Sequence, residues 1–330
     1  MRLRLVLLAF GAACTVVLPA VCQDRLAAIG NSSVAIEPRT LKGPSGTTVR
    51  PDIRVNSTLV LIPVVVTDRL NRLVLGLAKE NFRLFEEDRE QRIFSLSSDD
   101  APVSIGLVFD CSGSMENKLS KSQAAVAEFL KAANREDEFF LVEFNNRARL
   151  EQPFTTNPRE IQNHLAGAVA QGATALLDAV HLALLEMRAA RNSRKALLIV
   201  SDGGDNRSRH TEYEIKSLVQ EADVQIFAIG IYGARDPHWP TPEELAGPDL
   251  LAGVAEQTGG RQYPVKKLED LPRIAAEIGE TIRNQYVLSY KPQTLPPSGK
   301  YRRVQVRLIW PDATERPRVF WKRGYFAPAN

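Results

Sequence analysis

The stretch Ile105-Gly106-Leu107-Val108-Phe109-Asp110-Cys111-Ser112-Gly113-Ser114-Met115 decides how this chain is read. It begins as a short apolar run, which suits a strand buried on both faces. Asp110, Ser112 and Ser114 then alternate with Cys111 and Gly113. Leu119, Val126, Phe129 and Leu130 follow at spacings that place them on one helix face. Small oxygen-bearing side chains are therefore expected at the C-terminal end of a buried strand, just before a helix. In open α/β sheets, ligands bind there.

Outward from that stretch, strand and helix patterns alternate. Residues 138–144 read as a second buried strand, with Asn145-Asn146 as a turn into 147–150. Residues 161–169 read as a short helix. Thr174 opens a longer one, with Leu176, Leu177, Val180, Leu184 and Met187 along one face. Strands are expected at 196–200 and 224–229, separated by a helix near 212–222. Helices at 242–257 and 268–285 flank a short strand at 260–263. This alternation predicts an α/β class with a doubly wound, mostly parallel sheet. Residues that follow its buried strands share one edge. The loop expected at 231–248 reaches that edge and holds Trp239, a candidate partner-binding residue.

Asp110, Ser112 and Ser114 resemble the Asp-x-Ser-x-Ser core of the metal-ion-dependent adhesion site of von Willebrand factor type A domains. The resemblance implies a Rossmann-like fold and two further ligands from later loops. They are Thr174 in Gly172-Ala173-Thr174 and Asp202 in Ser201-Asp202-Gly203-Gly204. The set of Asp110, Ser112, Ser114, Thr174 and Asp202 offers only hard oxygen donors, which favour Mg²⁺, Mn²⁺ or Ca²⁺ over softer metals. Hydroxyls are neutral, so the ion keeps an appetite for an anionic oxygen. The expected partner is a protein presenting an Asp or Glu carboxylate. Cys111 alternates away from its neighbours and is expected to be a buried, inert thiol.

Composition describes an ordinary globular protein: 330 residues, 44% hydrophobic, 25% charged, net charge +3. That charge is too small to argue for nucleic acid or a membrane surface. Arg2 and Arg4 precede an apolar run at 5–20, and Ala20-Val21-Cys22 suits cleavage near Gln23. Residues 1–22 are expected to be a signal peptide for secretion or export to a bacterial envelope. No other segment is long and apolar enough to span a bilayer. Residues 23–54 lack periodicity and read as a disordered linker. With Cys14 and Cys22 in the signal region, Cys111 is the one thiol of the remainder, so no internal disulfide framework is expected.

Short strands recur at both ends, around 57–68, 82–85 and 92–94, and again at 285–290, 302–310 and 318–321. Val304, Val306 and Leu308 alternate with Arg303, Gln305 and Arg307, as in a sheet with one wet face. We expect 55–101 and 286–326 to form one small β-sandwich-like module, with a metal-site domain at 102–285 inserted between them. Val64-Val65-Val66-Thr67-Asp68, Glu80-Asn81-Phe82, Tyr301-Arg302-Arg303 and Arg323-Gly324-Tyr325-Phe326 resemble hallmarks of secreted bacterial VWFA-related proteins abundant in Acidobacteria. The basic concentration at 300–323 reads as solvated strand faces and edge protection.

These features favour a non-enzymatic, divalent-metal-dependent adhesion-type module. The competing readings are an envelope structural or assembly protein with a metal-stabilised fold, and a metal-assisted hydrolase. Ser112 stands where phosphoryl-transfer enzymes of similar topology carry a second acid. Neither Ser112 nor Ser114 has the Gly-x-Ser-x-Gly setting of a serine hydrolase, and no phosphate-binding Gly-x-x-x-x-Gly-Lys loop occurs.

Overall fold

The computed structural model describes residues 59–98, 100–232, 241–293, 299–311 and 316–327. The expected signal peptide, the linker and Trp239 lie outside the described residues. The first strands are β1 (Val60–Thr67), β2 (Phe82–Glu86), β3 (Arg89–Gln91) and β4 (Ile93–Ser97). A central segment follows: β5 (Val103–Asp110), α1 (Leu119–Leu130), β6 (Glu138–Phe144), β7 (Ala148–Thr155), α2 (Pro158–Ala166) and α3 (Leu176–Glu186). It continues with β8 (Arg194–Ser201), α4 (Glu212–Glu221), β9 (Gln225–Ile231), α5 (Pro242–Ala255), β10 (Gln262–Val265) and α6 (Leu271–Arg283). The remaining strands are β11 (Tyr286–Tyr290), β12 (Tyr301–Leu308), β13 (Arg318–Trp321) and β14 (Gly324–Phe326).

The central segment builds a sheet of order β10-β9-β8-β5-β6-β7, parallel throughout except for the β6–β7 hairpin. Every residue of β5 is buried, as its unbroken apolar run requires. Ile105, Leu107 and Phe109 face Val126, Phe129, Ile274 and Ile278 of α1 and α6. Val108 faces the opposite layer, with Leu176 and Val180 of α3, Ile215 of α4 and Leu251 of α5. Each such side chain contributes about 1.5–3 kcal/mol on burial. Gly106 is where the layers come closest: a Cβ there would lie 2.2 Å from the Phe140 ring and 2.4 Å from Leu197.

Strands from both ends of the described chain interleave in two further antiparallel sheets, β13-β1-β11-β4 and β14-β12-β2-β3. They share one core, in which Ile62 and Val64 of β1 and Leu288 of β11 meet Phe82 and Leu84 of β2 and Val306 of β12. Alternation is visible in β2 and β12, where buried residues alternate with more open ones. The basic residues of 300–323 are largely paired. Arg302 bonds buried Glu86, and Arg303 reaches Glu87 and Asp88. Arg307 and Arg323 lie over Phe85 and Trp321. Lys322 instead reaches Asp223 beside the parallel sheet, where Thr258 bridges Lys322.

Three local expectations shift. The edge strand expected at 260–263 is Gln262–Val265, because Gly260 lies against the Ile226 backbone, 1.9 Å from where a Cβ would stand. The loop expected to reach residue 248 gives way to α5 at Pro242, and Pro248 sits inside that helix. Thr174 precedes α3 by two residues rather than opening it. Asp205 accepts from the Leu177 amide and Ser208 from the Asp178 amide, so a neighbouring loop caps that helix.

Candidate metal centre

Strands β5 and β8 are neighbours, but the chain leaves them in opposite directions, β5 towards β6 and β8 towards β9. Their carboxyl ends therefore diverge and open a crevice at the switch point of the sheet. Asp110 ends β5 on one side of it, and Asp202 follows Ser201 at the end of β8 on the other.

Asp110 is fully buried. Its Oδ1 accepts from the Ser112 amide at 2.8 Å and its Oδ2 from the Ser201 hydroxyl at 2.5 Å. Burial, and then the charge of Asp202, push the Asp110 carboxyl above its usual range. The two carboxylates thus lie near enough for the charge of one to disfavour that of the other. Ser112 is also fully buried, and its Oγ lies 3.1 Å from Ser114 Oγ across the one-turn 3₁₀ helix Gly113–Met115. Met115, wholly buried, anchors that turn from below.

The Thr174 loop is tied to both aspartate loops. The Gly113 amide donates to Gly172 O and the Gln171 amide to Cys111 O, each at 2.9 Å. Gly172 takes φ +84°, and an added Cβ would lie 2.6 Å from Asn146 Nδ2. Asn146 Oδ1 accepts from the Ala173 amide, and Asn206 Oδ1 from the Thr174 amide at 2.9 Å. Thr174 is buried, yet its hydroxyl makes no hydrogen bond among the described residues. The five residues singled out from the sequence are thus gathered by three cross-linked loops at one sheet edge. Cys111 turns away: its Sγ lies 3.8 Å from Glu143 Oε2, and burial raises its thiol pKa far above the usual range. An acidic thiolate nucleophile is not formed there.

Lys118 is the participant that sequence reasoning missed. Its ammonium reaches Asp202 Oδ2 at 2.8 Å, with the two side chains only 10% and 8% exposed. Lys118 is the N-cap of α1, where a positive charge opposes the helix dipole. That unfavourable placement is the one signal the sequence carries. Ser201 and Asn146 were also missed. Asn206, four residues after Asp202, holds the Thr174 amide.

The oxygen set fits a hard divalent ion chemically. It offers two mutually repelling buried carboxylates, two adjacent serine hydroxyls and a threonine hydroxyl without a hydrogen bond. Among the described residues no group of three or more His, Cys, Asp or Glu side chains could hold a metal. A metal site built on Asp110 and Asp202 would therefore draw on the neighbouring hydroxyls.

Residues 105–204 match the von Willebrand factor type A domain family. No curated protein matches the chain. Among solved structures, a von Willebrand factor type A protein from Catenulispora acidiphila is similar at 13% identity and TM-score 0.48, covering 83% of this chain and 75% of that one. BatB from Bacteroides thetaiotaomicron is similar at 18% identity and TM-score 0.43, covering 54% and 98%. Proximal thread matrix protein 1 from the mussel byssus, described with a zinc-occupied MIDAS motif, is similar at 20% identity and TM-score 0.45, covering 60% and 49%.

Proposed function

We propose that this chain, which carries a von Willebrand factor type A domain at 105–204, is a non-enzymatic binding module that works through a divalent cation. Asp110, Ser112, Ser114, Thr174 and Asp202 would hold the ion, Mg²⁺ or Mn²⁺ by the hardness of the donors, with Ca²⁺ as the larger substitute. When bound, the ion supplies a Lewis-acidic position for an Asp or Glu carboxylate of a partner protein. The observation that carries this reading is the pairing of two buried, mutually repelling carboxylates with three hydroxyls on loops pinned to one another.

Each residue of the chain has its own part. Ser201 holds Asp110 Oδ2 and thereby orients the carboxylate. Asn206 and Asn146 fix the backbone on which Thr174 stands. The β module formed by 55–101 and 286–326 would carry the domain, and the charged and apolar stretch at 2–20 would direct the chain to the cell envelope or beyond it.

A second reading has its own support. The Lys118–Asp202 ion pair places a cation on one of the two carboxylates within the chain itself. That favours an envelope structural or assembly protein held together without a captured partner. Thermal melting tests the ion that both readings share, and partner capture separates them. Mg²⁺ or Mn²⁺ should raise the melting temperature of the purified chain, and Asp110→Ala should abolish that rise while the fold survives. A wild-type melting curve indifferent to both metals would remove the ion from both readings. With the ion present, partner capture that needs metal and fails with Thr174→Ala favours adhesion, and its absence favours the structural reading.

A further inference from the structure

Beside the metal centre lies a cleft of about 1100 Å³, walled by the β6–β7 hairpin, the Thr174 loop, α3 and the loop that follows Asp205. Four arginines line it: Arg147 and Arg149 on one wall, Arg207 and Arg209 on the other. All four are exposed. None of their guanidinium groups has a hydrogen-bond or ion-pair partner among the described residues, whereas Arg302, Arg303, Arg307 and Arg323 are paired or stacked. The negative groups nearby are few. Asp178 is taken up by His210 Nδ1 at 2.7 Å and by the amides of Arg209 and His210. Glu143 and Glu151 lie on the far side of Arg149, in a neighbouring, smaller pocket.

The cleft and the metal centre share their walls. Asn146 and Asn206 both line the cleft, and each accepts a hydrogen bond from the loop that carries Thr174. We infer that this arginine-lined cleft is the docking groove for an acidic segment of the partner, several residues long, whose terminal carboxylate reaches the metal. This rests on the metal-dependent capture proposed above.

Size and chemistry both point to a peptide. The volume slightly exceeds the roughly 300–1,000 Å³ that enclose a drug-sized ligand, far more than one carboxylate fills. Guanidinium forks match carboxylates bidentately. Asn145, Gln171 and the Leu182 side chain add amide and apolar contacts of the kind a peptide backbone and side-chain methylenes use. A sulfated glycan would use the four charges but leave those contacts unmatched.

The test is binding of a fluorescein-labelled hexaglutamate peptide to the full chain by anisotropy, in Mg²⁺ and in EDTA, at low salt. Arg147→Glu/Arg207→Glu should weaken binding by about tenfold or more under both conditions, from two lost ion pairs and added repulsion. Arg316→Glu/Arg318→Glu, two exposed arginines at β13, makes the same change in net charge and should change binding less than twofold. Thr174→Ala should remove only the increment that Mg²⁺ adds. If binding ignores EDTA and Thr174→Ala yet is lost in the Arg147/Arg207 reversal, the cleft stands and the metal reading falls. The inference is overturned if the Arg147/Arg207 reversal behaves like the Arg316/Arg318 control, or if a heparin hexasaccharide binds through the arginines and hexaglutamate does not.

Discussion

Replacing Lys118 by Met tests whether the metal centre is already governed by a cation of its own. Lys118 Nζ sits 2.8 Å from Asp202 Oδ2 in an almost sealed pocket. Methionine keeps the length and the apolar stem but removes the charge. Breaking a buried pair by deleting one partner costs about 3–5 kcal/mol, because the other charge is left without compensation. Asp202 would then stand beside Asp110, whose carboxyl it already pushes upward. For a domain of this size each kcal/mol lowers the melting temperature by about 2–4 °C. In EDTA, Lys118→Met should therefore melt about 6–20 °C below wild type. Divalent metal should return most of that loss, since it binds only the folded state and its stabilisation grows as RT ln(1 + [L]/Kd). With no ammonium to displace, the variant should also bind Mg²⁺ more tightly than wild type by isothermal titration calorimetry. Equal destabilisation in EDTA and in Mg²⁺, with unchanged metal affinity, would refute this and leave Lys118 as an ordinary structural ion pair.

Other expectations are independent of that site's charge balance. Glu143 is raised to about 7 by burial and then by the charge of Glu151, so between pH 4.5 and 7 it holds its proton in the folded chain but loses it when unfolded. Stability carried by that proton falls as pH rises through the window and is gone above it. Glu143→Gln should accordingly gain roughly 1 kcal/mol on wild type at pH 8 relative to pH 5, the figure discounted for partial solvent access. Chemical denaturation at the two pH values measures it, and parallel curves would refute it. In the β module, Glu86 is 1% exposed, bonds Arg302 at 3.2 Å and accepts from the Tyr325 hydroxyl at 2.6 Å. Glu86→Ala should cost about 3 kcal/mol in a urea titration, and a loss under 1 kcal/mol would show the pair to be dispensable. Gly172→Ala forces a left-handed residue and crowds Asn146. It should cost about 1–3 kcal/mol and shrink the Mg²⁺-induced rise in melting temperature, because it displaces the backbone that positions Thr174. An undiminished rise would separate that loop from the metal.

The parallel sheet and the placing of Asp110, Ser112 and Ser114 were legible because both depend on local pattern. An unbroken apolar run such as 105–109 has no place except inside a sheet covered on both faces. Hydroxyls spaced by two after it have to cluster at the strand's end. What escaped depends on contacts distant in sequence. Lys118 acts on a residue 84 positions away, and nothing within α1 tells which loop its ammonium will meet. The register of β10 is set by Gly260 against Ile226, a close approach between backbones that periodicity does not encode. Helix α5 runs through Pro248, which local rules read as a break, and next to it Gly247 lies against Gly203, 2.8 Å from where a Cβ on Gly203 would stand. β14 spans three residues, too few to show alternation.

The chemistry of the centre turns on how its formal charges close. Asp110 and Asp202 bring two negative charges when ionised, and Lys118 brings one positive charge. The site alone is therefore short of positive charge, and burial makes that shortage costly. A divalent ion that expels the lysine would be neutralised by the two aspartates and would hold a partner carboxylate only by filling an open coordination position. A divalent ion that arrives with the ammonium still close leaves one positive charge in excess, which a partner carboxylate would cancel. The same lysine thus opposes the metal and favours the acidic ligand. Where it settles would decide whether the proposed capture discriminates a partner by charge or by coordination geometry.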